Sequence, residues 1–140
     1  MMVRAMEKKK RILVIDDDVQ HVDMVKTLLE SVGYEVKYAY RPQKGLEVAR
    51  VAPPDLIILD VMFAGPPGPD GVEIARQLAQ DPDLKDVPII MLSGVRKVLE
   101  LPVGLETDDT WMPARMFLEK PIKPDKLLAE IQKVLGPLSA

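Results

Sequence analysis

The chain has 140 residues, 47% hydrophobic and 29% charged, with a formal net charge of −3; this fills one apolar core and leaves little room for a second. A pI near 5.2 argues against a broad electrostatic footprint for nucleic acid or anionic lipid. With no cysteine, a disulfide framework, a thiol nucleophile and a thiolate metal site are all excluded.

Residues 1–10 read as a lead-in, ending in the basic run Lys8, Lys9, Lys10 that continues into Arg11 and is expected to be solvated. Nothing there resembles a signal peptide, and no apolar stretch approaches the ~20 residues that span a bilayer, so the expected place is the cytoplasm. A folded domain is expected over 11–136, with a short tail at 137–140. Ile12, Leu13, Val14 and Ile15 form a continuous aliphatic run, as in a parallel strand buried on both faces, and it stops at Asp16, Asp17 and Asp18. Val19, Val22, Val25, Leu28, Leu29 and Val32 recur at helical spacing, with Asp18 as turn and cap and Gly33 as a left-handed stop. His21, the single histidine, reads as a surface residue of that helix and excludes any multi-histidine zinc site.

A short strand is expected from Glu35 to Ala39, then a helix from Pro42 carrying Leu46, Val48, Ala49 and Val51 until Pro53 and Pro54 stop it. Leu56, Ile57, Ile58 and Leu59 repeat the buried-strand pattern and end at Asp60. The segment 63–69 holds Pro66, Pro67 and Pro69 and is too rich in proline and glycine to be helical. Asp70 is placed to cap a helix using Val72, Ile74, Ala75, Leu78 and Ala79. A fourth strand spans Val87 to Leu92, with Ser93 and Gly94 at its end. Residues 95–115 are irregular, broken by Pro102, Gly104 and Pro113, and hold the single tryptophan, Trp111. Met116, Phe117 and Leu118 make a short fifth strand before Glu119, Lys120 and Pro121. The last helix starts near Pro124, buries Leu127, Leu128, Ile131, Val134 and Leu135, and ends at Gly136.

Strands alternating with amphipathic helices define an α/β domain with a parallel sheet covered on both faces. Ligands of such sheets bind at the carboxyl ends of the strands, where Asp16, Asp17, Asp60, Ser93 and Lys120 all stand. Asp is a common helix cap, which accounts for Asp18. Capping does not call for consecutive aspartates, a hydroxyl and a lysine from separate strands. Carboxylates that close together repel, so the cluster calls for a cation, and Mg²⁺ suits oxygen ligands while also accepting a phosphate oxygen. The layout points to a phosphorylation site built around one aspartate. Rival chemistries lack parts: there is no Gly-x-x-x-x-Gly-Lys-Ser/Thr loop for a nucleotide. Val61 and Met62 follow Asp60 where a haloacid-dehalogenase-type phosphatase wants a second aspartate, and aspartates after the first strand would repel a flavin phosphate.

Five motifs in order, Ile-Leu-Val-Ile-Asp-Asp-Asp at 12–18, Leu-Ile-Ile-Leu-Asp-Val-Met at 56–62, Asp70-Gly71, Met-Leu-Ser-Gly at 91–94 and Lys120-Pro121, carry a resemblance over nearly the whole chain. It resembles the receiver domain of two-component response regulators, the CheY-like superfamily. The resemblance implies a flavodoxin-like five-stranded parallel sheet of order 2-1-3-4-5 with helices on both faces, here with an irregular fourth-helix region. It implies that Asp60 is the phosphoacceptor and takes a phosphoryl group from a sensor histidine kinase or phosphotransfer protein. It further implies that Mg²⁺ is held by Asp17, Asp60 and the backbone carbonyl of Met62, with Asp16 acting mainly through water. Ser93, the Gly94 N–H and Lys120 would meet the phosphate oxygens, and a cis Lys120-Pro121 bond is implied.

By the same resemblance Ser93 and an aromatic on the fifth strand form the switch; that position is Phe117, which lacks a tyrosine's hydroxyl. The 63–69 loop and the 95–115 segment are longer than the family's usual connections; the loop is expected to bear on partner choice or phosphate lifetime, and the segment on the output partner. The implied function is a phosphorylation-dependent signalling switch, a monomer or phosphorylation-dependent dimer. It would catalyse only its own phosphoryl transfer and dephosphorylation and signal to a downstream protein through protein contacts, without touching nucleic acid or membrane directly. With no DNA-binding or catalytic output domain after Gly136 and Pro137, the chain is expected either to act alone through protein contacts or to be a fragment of something longer. The alternative is a receiver-like interaction module that does not switch by phosphorylation.

Overall fold

The computed structural model describes residues 9–60, 71–94, 114–120 and 122–136, with 71–73, 75, 93–94 and 114–120 placed by their backbone. Strands and helices alternate as β1 (Arg11–Ile15), α1 (Val19–Ser31), β2 (Glu35–Ala39), α2 (Pro42–Val51), β3 (Leu56–Asp60), α3 (Gly71–Gln80), β4 (Ile89–Gly94), β5 (Ala114–Lys120) and α4 (Pro124–Leu135). The strands form one parallel sheet in the order β2-β1-β3-β4-β5, as the family resemblance implies. β1 and β3 are interior strands, which is why both are unbroken aliphatic runs buried along nearly their whole length. β2 lies at the edge, and Glu35, Lys37 and Tyr38 stay exposed there while Val36 and Ala39 are buried.

Alternation along the strands divides the core into two layers. On one face Leu13, Ile15, Ile57, Leu59, Ile89 and Met91 pack with Leu46 and Ala49 of α2 and Ile74 and Leu78 of α3. On the other, Ile12, Val14, Leu56, Ile58, Ile90 and Leu92 pack with Val22, Val25 and Leu29 of α1 and Leu127 and Ile131 of α4. Each such side chain contributes about 1.5–3 kcal/mol when fully buried, so the central strands anchor the edge from which the carboxylates rise.

Local signals set the helix ends. Asp18 caps α1, accepting from the Gln20 and His21 N–H groups, and Gly33 takes a φ of 106° just beyond it. Proline opens α2 and α4, and Gly136 closes α4 with a φ of 88°.

Four expectations need adjustment. Val19 and Val51 share the helical period of the buried residues, yet they are 57% and 86% exposed, because each is the terminal residue of its helix. β4 begins at Ile89, since the Val87 N–H turns back to the Leu84 carbonyl at 3.0 Å. β5 runs from Ala114 to Lys120, longer than expected, because its ladder with β4 continues to Gly94 opposite Lys120. In α4, Leu128, Val134 and Leu135 are only partly buried beside Leu127 and Ile131. Met62, the 63–69 loop, Asp70, Trp111 with most of the 95–115 segment, and Pro121 with its peptide bond lie outside the described residues.

Candidate functional site

β1 carries its ladder one residue past its end: the Asp16 N–H donates to the Ala39 carbonyl of β2 at 3.1 Å. Asp16 thereby continues the row of Ile12 and Val14, and Asp60, last residue of β3, continues the row of Leu56 and Ile58. Period-2 alternation puts both on the face covered by α1 and α4. β1 and β3 are hydrogen-bonded neighbours, so the two carboxylates meet at the carboxyl edge of the sheet. Asp17 joins them, and one oxygen from each of Asp16, Asp17 and Asp60 lies within 4.8 Å of the others. Asp16 is fully buried, Asp60 is 5% exposed and Asp17 is half-buried.

Three carboxylates gathered this closely repel one another strongly where water is scarce. The donor set is all oxygen, which suits a hard divalent cation. Two oxygens on one Mg²⁺ lie at most about 4.2 Å apart, given a Mg–O distance near 2.1 Å. Closing the cluster onto such an ion, directly or through a water, therefore needs only small side-chain shifts. The residues fit Mg²⁺.

The other expected site residues come from neighbouring strands. Asp60 is paired with Leu92, Ser93 with Glu119, and Gly94 with Lys120. Ser93 thus stands one residue beyond the level of Asp60, and Lys120 lies at the same carboxyl edge on β5. Phe117 is opposite Met91 in the ladder.

Asp18 takes no part in the cluster; its side chain is the N-cap of α1, accepting at 3.0 Å from Gln20 and 3.2 Å from His21. His21 departs from expectation. It is not a surface residue: its side chain is 13% exposed and its Nδ1 lies 2.6 Å from Asp16 Oδ2. The available signal was its place in the first turn of α1, directly behind the Asp18 cap. Helical periodicity hid it, because His21 sits beside the Val22, Val25 and Leu29 stripe and its partner, Asp16, lies outside the helix, just past β1.

A doubly wound parallel sheet with a carboxylate cluster at its carboxyl edge defines a small α/β domain that binds at the strand ends. The family model for the response regulator receiver domain matches residues 12–132. The phosphate regulon transcriptional regulatory protein PhoB of Pseudomonas aeruginosa is 37% identical over 130 residues, covering 90% of this chain and 52% of that protein. The DNA-binding dual master transcriptional regulator RpaA of Synechocystis is 34% identical over 125 residues, covering 89% and 48%. Among solved structures, the Vibrio cholerae chemotaxis protein CheY4 superposes with a TM-score of 0.74 at 29% identity, covering 91% of this chain and 99% of that one. The chain belongs to the response regulator receiver domain family. It spans about half the length of the two transcriptional regulators it matches.

Among the described residues, no helix is long and apolar enough to cross a membrane.

Proposed function

We propose that the chain is a phosphorylation-dependent switch in which Asp60 accepts a phosphoryl group from the phosphohistidine of a sensor histidine kinase or phosphotransfer protein. The observation that carries this reading is the meeting of Asp16, Asp17 and Asp60 within 4.8 Å at the carboxyl edge of a receiver-domain sheet. Asp60 is the nucleophile: a carboxylate oxygen bonds to phosphorus as the phosphorus–nitrogen bond to the donor histidine breaks. Asp17, Asp60 and the Met62 carbonyl would hold Mg²⁺, with Asp16 reaching it through water. When bound, Mg²⁺ screens the repulsion between Asp60 and the incoming phosphate.

The remaining roles fall to β4 and β5. The Ser93 hydroxyl and the Gly94 N–H take oxygens of the new aspartyl phosphate, and Lys120 pairs with another. Aspartyl phosphate adds nearly two negative charges to this edge, and Ser93 and Phe117 relay the change outward. Phe117 does so by packing alone, because it has no hydroxyl. The chain catalyses only its own phosphoryl transfer and dephosphorylation.

The domain, residues 11–136, acts in the cytoplasm as a monomer or phosphorylation-dependent dimer and signals through protein contacts. The net charge of the whole chain, −3, disfavours direct DNA contact by this part of the protein. Several relatives are named as DNA-binding regulators, and we assign that contact to the half of their length this chain does not match.

The test is incubation with Mg²⁺ and a small phosphodonor, followed by intact mass. One added phosphate in the parent and none in Asp60→Asn is the expected result. No adduct and no Mg²⁺ binding in the parent would instead favour an interaction module that does not switch by phosphorylation.

A further inference from the structure

Asp16 is held at both oxygens by its own neighbourhood. Its Oδ1 accepts the Asp18 N–H at 3.0 Å, and its Oδ2 faces His21 Nδ1 at 2.6 Å. An ionised carboxylate can only accept, so Nδ1 carries the proton of this bond. His21 is tied back in turn, its N–H donating to Asp18 Oδ1 at 3.2 Å. Asp16, Asp18 and His21 therefore form a closed circuit that locks the rotation of the Asp16 side chain. His21 Nε2 is buried and has no hydrogen-bond partner among the described residues, so the polar anchoring of the ring is at Nδ1. A histidine that merely filled space would need no carboxylate there.

We propose that His21 is a positioning residue for the divalent-cation site, acting through Asp16. The inference rests on the reading of Asp16, Asp17 and Asp60 as that site. Of the roughly four acceptor positions on a carboxylate, two on Asp16 are taken by Asp18 and His21. Asp16 is thereby kept from collapsing onto the space between Asp17 and Asp60, and would meet a cation there through water. Loss of the imidazole leaves a fully buried carboxylate oxygen without this donor, and such an oxygen is costly to keep charged. Asp16 then turns away from this position, and the cation binds less tightly.

The experiment compares the parent, His21→Leu and His21→Asn, using the full chain. Mg²⁺ is titrated calorimetrically, and the imidazole resonances are followed by ¹H–¹⁵N NMR in the parent. They are unambiguous because the chain has a single histidine. Outer-shell partners of metal ligands typically set affinity by ~10–100-fold, so His21→Leu should weaken Mg²⁺ binding by about tenfold or more. His21→Asn, whose amide can place an N–H near the position of Nδ1, should stay within about threefold of the parent. The parent imidazole should shift on addition of Mg²⁺, saturating at the calorimetric Kd.

Parent-like affinity in the leucine variant overturns the inference, as does equal weakening in both variants. Imidazole signals that stay flat while Mg²⁺ binds also overturn it, and this arm decides the matter if the leucine variant fails to fold. A parent that binds no Mg²⁺ overturns the cation-site reading itself and this inference with it, which separates the two failures.

Discussion

Asp16 and Asp60 at the carboxyl edge of the sheet, and Glu130 on α4, are the buried charged side chains among the described residues, yet their surroundings differ. Glu130 receives Lys133 at 3.1 Å and Lys126 at 3.3 Å, both from its own helix at i,i+3 and i,i+4 spacing. The hydrogen bond from Lys133 leads in holding its carboxyl below the ordinary value of 4.5, helped by Lys126, and together they outweigh the opposing effect of burial. Asp16, besides its contacts with His21 and the Asp18 N–H, meets Asp60 and Asp17. Where the fold neutralises a carboxylate with its own cations, the group serves structure. Where it also brings like charges together from separate strands, the group is suited to a ligand that carries the opposite charge.

The largest effect that would test this contrast is on the cation. Asp17→Asn should weaken Mg²⁺ binding on the order of 100-fold, about 2.7 kcal/mol, whereas Glu130→Gln should leave it within about twofold. Calorimetric titration of both variants checks this. Similar losses in the two would break the distinction between a ligand site and a structural pair.

A change of packing alone, beside the same edge, comes next. Gly45 of α2 faces Ile15, the residue before Asp16, so closely that a Cβ there would lie 2.7 Å from Ile15 Cγ1 and 3.0 Å from Cγ2. Alanine ordinarily favours a helix by up to ~1 kcal/mol over glycine. Here a fully buried, β-branched side chain cannot turn away from both contacts. Gly45→Ala should therefore cost about 1–3 kcal/mol, lowering Tm by several degrees. The rise in Tm on adding Mg²⁺ should persist, since no ligand is altered.

Much of this was legible beforehand because the fold is written in unbroken aliphatic strands, and each ends at a residue of interest: Ile15 before Asp16, Leu59 before Asp60. Once the strands are parallel and adjacent, the cluster follows from topology. What was not legible depends on contacts that periodicity does not encode. His21 belongs to a helix yet bonds five residues back across a turn. Val19 and Val51 keep the helical period but stand exposed at helix ends. Glu130 sits among apolar positions of α4, and only its flanking lysines mark it as a satisfied charge.

Metal-free stability should separate the two sites by sign. Removing one charge from the like-charged cluster relieves repulsion, so Asp17→Asn in chelator should raise stability by about 1 kcal/mol. Glu130→Gln removes a favourable pairing, and Tm should fall slightly near neutral pH. Two shifts of the same sign would show that burial, rather than the charges around each group, decides the outcome.

The smallest effect is the pH dependence of that second shift. Glu130 has a folded-state pKa below its ordinary value of 4.5, so around and below that pH the unfolded chain binds the proton more readily than the folded one. Stability then rises with pH in this window. The contribution of Glu130 is fully present above about pH 5 and is lost as pH falls through the folded value. The Tm difference between parent and Glu130→Gln should accordingly be constant from neutral pH down to about 5 and shrink toward zero as acid is added. Thermal melts of the two proteins across that range measure it. A difference that did not shrink would mean that the glutamine disturbs packing of α4 rather than removing a charge pair, and Glu130 would no longer serve as the neutralised counterpart to the acidic edge.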